Sequence, residues 1–140
     1  MSKVAVVFWS ATGNTAAMAQ AVGDAAAAAG AEVEYFGPGE FSSAKLAEYD
    51  AVAFGCPAMG AEVLEEEEFE PMFTEIESSL KDKKIGLFGS YGWGDGQWMR
   101  DWQDRAASAG AYLVADGVMA NYTPDADALE SCADLGRALA

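Results

Sequence analysis

A chain of 140 residues has the size of one domain and can bury one substantial core, and with 51% hydrophobic residues it is not a disordered polymer. Eight basic residues stand against 23 acidic ones, a formal charge of −15, so the basic footprint of a nucleic-acid binder is missing and an anionic membrane would repel the surface. Histidine is absent, which removes imidazole acid–base chemistry, His-paired nucleophiles and His-ligated metals; the two cysteines, Cys56 and Cys132, lie in no metal-ligand spacing.

In chain order, an apolar run from Lys3 to Trp9 reads as a buried first strand. It is too short for a secretory leader, so a cytoplasmic location is expected. A helix follows from about Asn14 to Gly30, then a strand from Glu32 to Phe36, a short helix from Ser43 to Glu48 and a strand from Ala51 to Cys56. A helix from Glu70 to Leu80 leads to a strand from Lys84 to Ser90, a helix from Gln97 to Gly110 and a strand from Ala111 to Val118. The last helix runs from about Asp125, after Pro124, to Leu139. Gly30 and Gly110 are placed to stop their helices at C′. Runs one, three and four are almost continuously apolar, as strands covered on both faces are. No run approaches the ~20 residues of a membrane span. Strict β–α alternation predicts an α/β fold, a doubly wound five-stranded parallel sheet in the order 2-1-3-4-5, in one domain over residues 1–140. Its ligand crevice lies at the carboxyl ends of strands one and three.

The unusual residues follow strands one, three and four. Ser10-Ala11-Thr12-Gly13-Asn14-Thr15 supplies hydroxyls, an amide and a glycine at the start of a helix whose free N–H groups favour an anion. It holds no Lys or Arg and no nucleoside-triphosphate loop pattern, which suits a permanently bound monophosphate. An ordinary helix-capping cluster would use the same residue types. Pro57-Ala58-Met59-Gly60-Ala61-Glu62 offers a polarizable thioether, a glycine turn and a carboxylate. Ser90-Tyr91-Gly92-Trp93-Gly94-Asp95-Gly96 sets an indole among glycines that let backbone amides approach a flat ligand. A conjugated planar ligand with a single phosphate arm fits these three loops together, and FMN is the natural candidate.

These residues resemble the flavodoxin family, in particular its short-chain members from anaerobic bacteria, over essentially the whole chain. The resemblance rests on T-G-N-T at Thr12 to Thr15, P-A-M-G at Pro57 to Gly60 and F-G-S-Y-G-W-G-D-G at Phe88 to Gly96, with no insertion in the fifth strand. It implies a flavodoxin-like fold with FMN bound non-covalently. Ser10, Thr12, Asn14, Thr15 and the backbone from Ala11 to Gly13 would hold the phosphate. Met59 and Trp93 would sandwich the ring, Glu62 would accept from its N3–H, and Gly92 would donate toward its pyrimidine side. The peptide between Gly60 and Ala61 would flip on one-electron reduction, and Asn121 would reach the ring edge. Pro57 stands where some relatives carry a serine, and Ala61 stands where a glycine would more easily accept a positive φ.

The implied work is one-electron transfer between semiquinone and hydroquinone at low potential, as a ferredoxin substitute, without substrate turnover. Glu62, Glu65, Glu66, Glu67, Glu68, Asp95 and Asp101 would surround a cation-free site and disfavour further negative charge. The same field would steer redox partners with basic docking patches, of reductase, oxidoreductase or hydrogenase type, to a monomer. A plain solvated segment also accounts for Glu65 to Glu68. An FMN-dependent NAD(P)H:quinone reductase is the alternative. A phosphoacceptor receiver lacks its aspartate after strand three, where Cys56-Pro57 stands, and a thiol phosphatase lacks its arginine, where Glu62 stands.

Overall fold

The computed structural model describes residues 2–11, 13–60, 62–92 and 94–140. Its parallel sheet is built on β1 (Lys3–Phe8), β2 (Glu32–Phe36), β3 (Ala51–Gly55) and β4 (Lys84–Tyr91), completed by β5 (Tyr112–Leu113) and β6 (Val118–Asn121). The order is β2-β1-β3-β4-β5, with β6 also paired to β4. The helices are α1 (Asn14–Ala28), α2 (Ser43–Leu46), α3 (Phe69–Ile76), α4 (Gln97–Ser108) and α5 (Ala126–Leu139). Among the described residues no helix is long and apolar enough to cross a membrane.

Period-two alternation divides the core. Val4, Val6, Ala51, Ala53 and Phe88 face α1 and α5, through Met18, Val22, Cys132 and Leu135. Ala5, Val7, Val52, Phe54, Ile85 and Leu87 face α3 and α4, through Phe69, Phe73, Trp98 and Trp102. On the first side the two helices touch backbone to backbone, because a Cβ on Gly136 would come within 2.1 Å of the Val22 carbonyl oxygen. Both expected helix stops are Schellman motifs. Ala31 N–H reaches the Ala26 carbonyl at 3.1 Å and Gly30 N–H that of Ala27 at 3.0 Å; Ala111 and Gly110 repeat this on Ala106 and Ala107.

Two elements differ from the sequence reading. The helix expected to Leu80 ends at Ile76 and tightens into a 3-10 turn over Glu77–Ser79. The fifth strand, expected to run unbroken from Ala111 to Val118, is two pieces. Lys84 and Ile85 pair with Tyr112 and Leu113, whereas Phe88 to Tyr91 pair with Val118 to Asn121. Four residues, 114–117, therefore stand opposite only Gly86 and Leu87, and the two in excess bulge out of the ladder. Asp116 and Gly117 are poor strand formers, and Gly117 N–H is taken by Gln103 of α4 instead of by the sheet.

Candidate functional site

The loops after β1, β3 and β4 meet at the carboxyl edge of the sheet around a slot of about 300 Å³, the lower end of the ~300–1,000 Å³ typical of small-molecule sites. Its walls include Ser10, Ala11, Asn14, Thr15, Pro57, Ala58, Met59, Ser90, Tyr91 and Gly92, and none of the described residues lining it is charged. Strand pairing continues to its rim: Trp9 N–H donates to the Gly55 carbonyl and Ala58 N–H to that of Ser90, both at 3.0 Å.

Among the described residues, one end of the slot gathers neutral donors suited to an anion. Ser10 Oγ accepts from Gly13 N–H and Ala16 N–H, each at 3.2 Å, and so caps α1 while its own hydroxyl proton stays available to donate. Gly13 turns the chain at φ 95°. The N–H groups of Asn14 and Thr15 open α1 with no helical carbonyl behind them. Thr15 Oγ1 and Ser90 Oγ are 3.1 Å apart, and Ser90 N–H also reaches Thr15 Oγ1 at 3.4 Å. This buried pair ties α1 to β4 and leaves one hydroxyl proton for a ligand. The capping reading of this loop is thus realised by Ser10, and the same arrangement leaves hydroxyl and N–H donors facing the slot.

Behind Met59 the chain makes a tight hairpin. Met59 N–H donates to the Val63 carbonyl at 2.8 Å and Val63 N–H returns at 3.0 Å. Gly60 and Glu62, within the turn, have φ of 48° and 57°. Glu62 does not line the slot: its Oε2 accepts from Trp98 N–H at 3.2 Å at the start of α4. A Cβ on Gly94 would come within 1.8 Å of Glu62 Oε1, so Gly94 is the residue that lets this carboxylate approach. Asp95 is paired with Arg100 at 2.9 Å, which also bonds Gln97; this cation is not among the residues that line the slot. Asn121 donates to the Tyr91 carbonyl at 3.4 Å and lines a separate cavity between β6 and α5. The expectations for Thr12, Ala61 and Trp93 fall on residues outside the described ones.

The acidic run divides sharply. Glu66, Glu67 and Glu68 are exposed, but Glu65 is 6% exposed and accepts backbone N–H groups from Glu67, Glu68 and Phe69 at 2.8–2.9 Å. Glu65 therefore leaves the set of surface charges and caps α3. Burial alone would raise its carboxyl, yet the three N–H donors outweigh burial and hold it below its ordinary 4.5. Cys56, at the end of β3, is pushed up to about 12 by burial and stays a neutral thiol. Two slot residues were missed in the sequence: Trp9 and Tyr122 also form its walls. Trp9 carries no sequence signal beyond closing the first apolar run. Tyr122 carried one usable signal, an aromatic just beyond the last strand at the same sheet edge.

A doubly wound sheet with a hydroxyl- and amide-lined anion end and an apolar, aromatic remainder defines a mononucleotide-binding protein, and the donors present fit a singly phosphorylated flat ring. Comparison with known proteins agrees. The chain is 46% identical over 137 residues to a flavodoxin of Megasphaera elsdenii, covering 98% of each. It is 40% identical over 135 residues to a flavodoxin of Clostridium beijerinckii, covering 96% of this chain and 97% of that one. The solution structure of the two-electron-reduced Megasphaera elsdenii flavodoxin superposes with a TM-score of 0.87, at 44% identity and 97% coverage of both chains. The flavodoxin family model matches residues 6–136, and the chain belongs to the flavodoxin family. FMN is that family's cofactor and electron transfer its work.

Proposed function

We propose that this chain is a low-potential one-electron carrier that moves between the one- and two-electron-reduced forms of FMN and stands in for ferredoxin, with no substrate turnover of its own. FMN supplies the electron chemistry when bound. The observation that carries the reading is the charge arrangement: an uncharged slot set in a strongly acidic molecule. Ser10, Asn14 and Thr15, with the backbone from Ala11 to Gly13 and, from the sequence, Thr12, hold the phosphate by neutral donors. Met59 packs on the ring, with Trp93 as its sequence-based counterpart, while Gly92 and the Gly60–Ala61 peptide present backbone groups to the ring edge. Glu62 acts as an acceptor at the ring once its carboxylate turns from Trp98 N–H; otherwise it pins the Met59–Val63 hairpin to α4. Water is kept from the ring by Trp9, Pro57 and Tyr91.

Exposed Glu66, Glu67 and Glu68 supply the docking field for basic patches on a reductase, oxidoreductase or hydrogenase. The protein acts as a single-domain monomer in a reducing, cytoplasmic setting, to which two buried, unpaired thiols are suited. Stepwise anaerobic reduction followed by visible absorption tests the reading. Accumulation of a blue one-electron-reduced spectrum, with the second step at lower potential than the first, is expected. Direct two-electron bleaching refutes it, and rapid bleaching by NADPH alone favours the quinone reductase instead.

A further inference from the structure

We propose that Tyr122, packed over Gly92, is a binding wall of the FMN slot, the residue after β6 that meets the ring at the edge expected of Asn121; the proposal rests on the FMN reading above. β6 ends on the pair Tyr91–Asn121, and Tyr122 prolongs the ladder by one step, its N–H donating to the Tyr91 carbonyl at 2.7 Å. This sets its ring along the side of Gly92 where a side chain would stand, with Cε1 3.1 Å and Cζ 3.4 Å from the position of a Cβ. The residue adopts φ 58°, a backbone unfavourable for anything with a Cβ, and it is 60% exposed. Neither the backbone nor the burial gives the apoprotein a reason for a tyrosine here. The ring does line the slot, on the side of Tyr91 and Gly92. There it offers an aromatic surface to a flat ligand beside Gly92.

The test is titration of the full-length apoprotein with FMN and with riboflavin, read by quenching of flavin fluorescence, for wild type, Tyr122→Phe, Tyr122→Ala and Tyr122→Gly. Tyr122→Ala and Tyr122→Gly are expected to bind both ligands about three- to tenfold more weakly, with no preference between them because the phosphate end is untouched. Tyr122→Phe keeps the ring and is expected to stay within about twofold of wild type. Because glycine relieves the left-handed backbone, the Tyr122→Gly apoprotein is expected to melt no lower than wild type while binding more weakly, a combination that a merely structural role cannot produce. Unchanged affinity in the alanine and glycine variants overturns the proposal, as does a loss of affinity that tracks a loss of apoprotein melting temperature across the series. A wild-type chain that takes up no FMN sinks the cofactor reading itself, and the proposal with it.

Discussion

Replacing Glu65 by alanine or glutamine separates a structural carboxylate from the three exposed ones beside it. Alanine removes the acceptor of three backbone N–H groups. Those of Glu67 and Glu68 lie in exposed residues and can turn to water, but Phe69 is fully buried, so its N–H would be orphaned. An orphaned buried donor costs about 1–3 kcal/mol and a lost helix cap about 1 kcal/mol, so Glu65→Ala should destabilise by about 2–4 kcal/mol. Glutamine keeps one oxygen for Glu68 and Phe69 but turns an amide donor toward Glu67 N–H, and its bonds are no longer charge-assisted; about 1–2 kcal/mol is expected. At roughly 3–5 °C per kcal/mol for a chain of this length, the apoproteins should melt in the order wild type, glutamine, alanine. The pH dependence supplies a second, independent readout. Because the folded carboxyl lies below its ordinary 4.5, its stabilisation is complete above that value and is lost as pH falls through the folded value. The gap between wild type and Glu65→Gln should therefore be widest near neutrality and narrow steadily below about pH 4.5. Urea melts of the apoproteins at several pH values measure both effects. Variants within ~0.5 kcal/mol of wild type at pH 7, or a gap that does not change with acid, would refute the assignment of Glu65 as the cap of α3.

Other expectations concern the slot and its rim. Ser10→Ala should cost the apoprotein about 0.5–2 kcal/mol in a urea melt, through the Gly13 and Ala16 N–H groups it caps, and should also weaken FMN more than riboflavin in fluorescence titrations. Gly94→Ala places a methyl group on Glu62 at a backbone φ of 85°, so it should free Trp98 N–H from the carboxylate, visible as faster hydrogen exchange at that amide. Neutralising Glu66 and Glu67 to glutamine should slow reduction by a basic redox partner in stopped-flow at low salt, have little effect at high salt, and leave the FMN dissociation constant unchanged.

The strands that build the slot could be read because burial on both faces leaves an unmistakable run, as in Val4 to Phe8 or Ala51 to Cys56. The glycine stops at Gly30 and Gly110 were equally plain, since a left-handed C′ residue has few alternatives. The break in the last strand was not, because Val114-Ala115 continues the apolar pattern and only Asp116-Gly117 interrupts it. Nor does anything in Glu65-Glu66-Glu67-Glu68 mark the first as buried: residue type does not distinguish a carboxylate gripped by its own backbone from three in water. Glu62 shows a third kind of limit. Its place in the chain points to the ligand, while the room that Gly94 leaves by lacking a Cβ, which lets the carboxylate lie against α4, shows only in the folded backbone.

The bulge at 114–117 governs which residue the molecule shows to its ligand. Were the Tyr112 register carried on without it, Gly92 would lie opposite Ala120, and the ring of Tyr122 would be two places farther along. An excess of two residues, unlike one, preserves inside and outside: Ala120 remains buried and Met119 exposed whichever pairing holds. The length of that kink thus works as a dial with whole-pair steps, advancing new side chains to the mouth of the slot while the layer beneath keeps its packing.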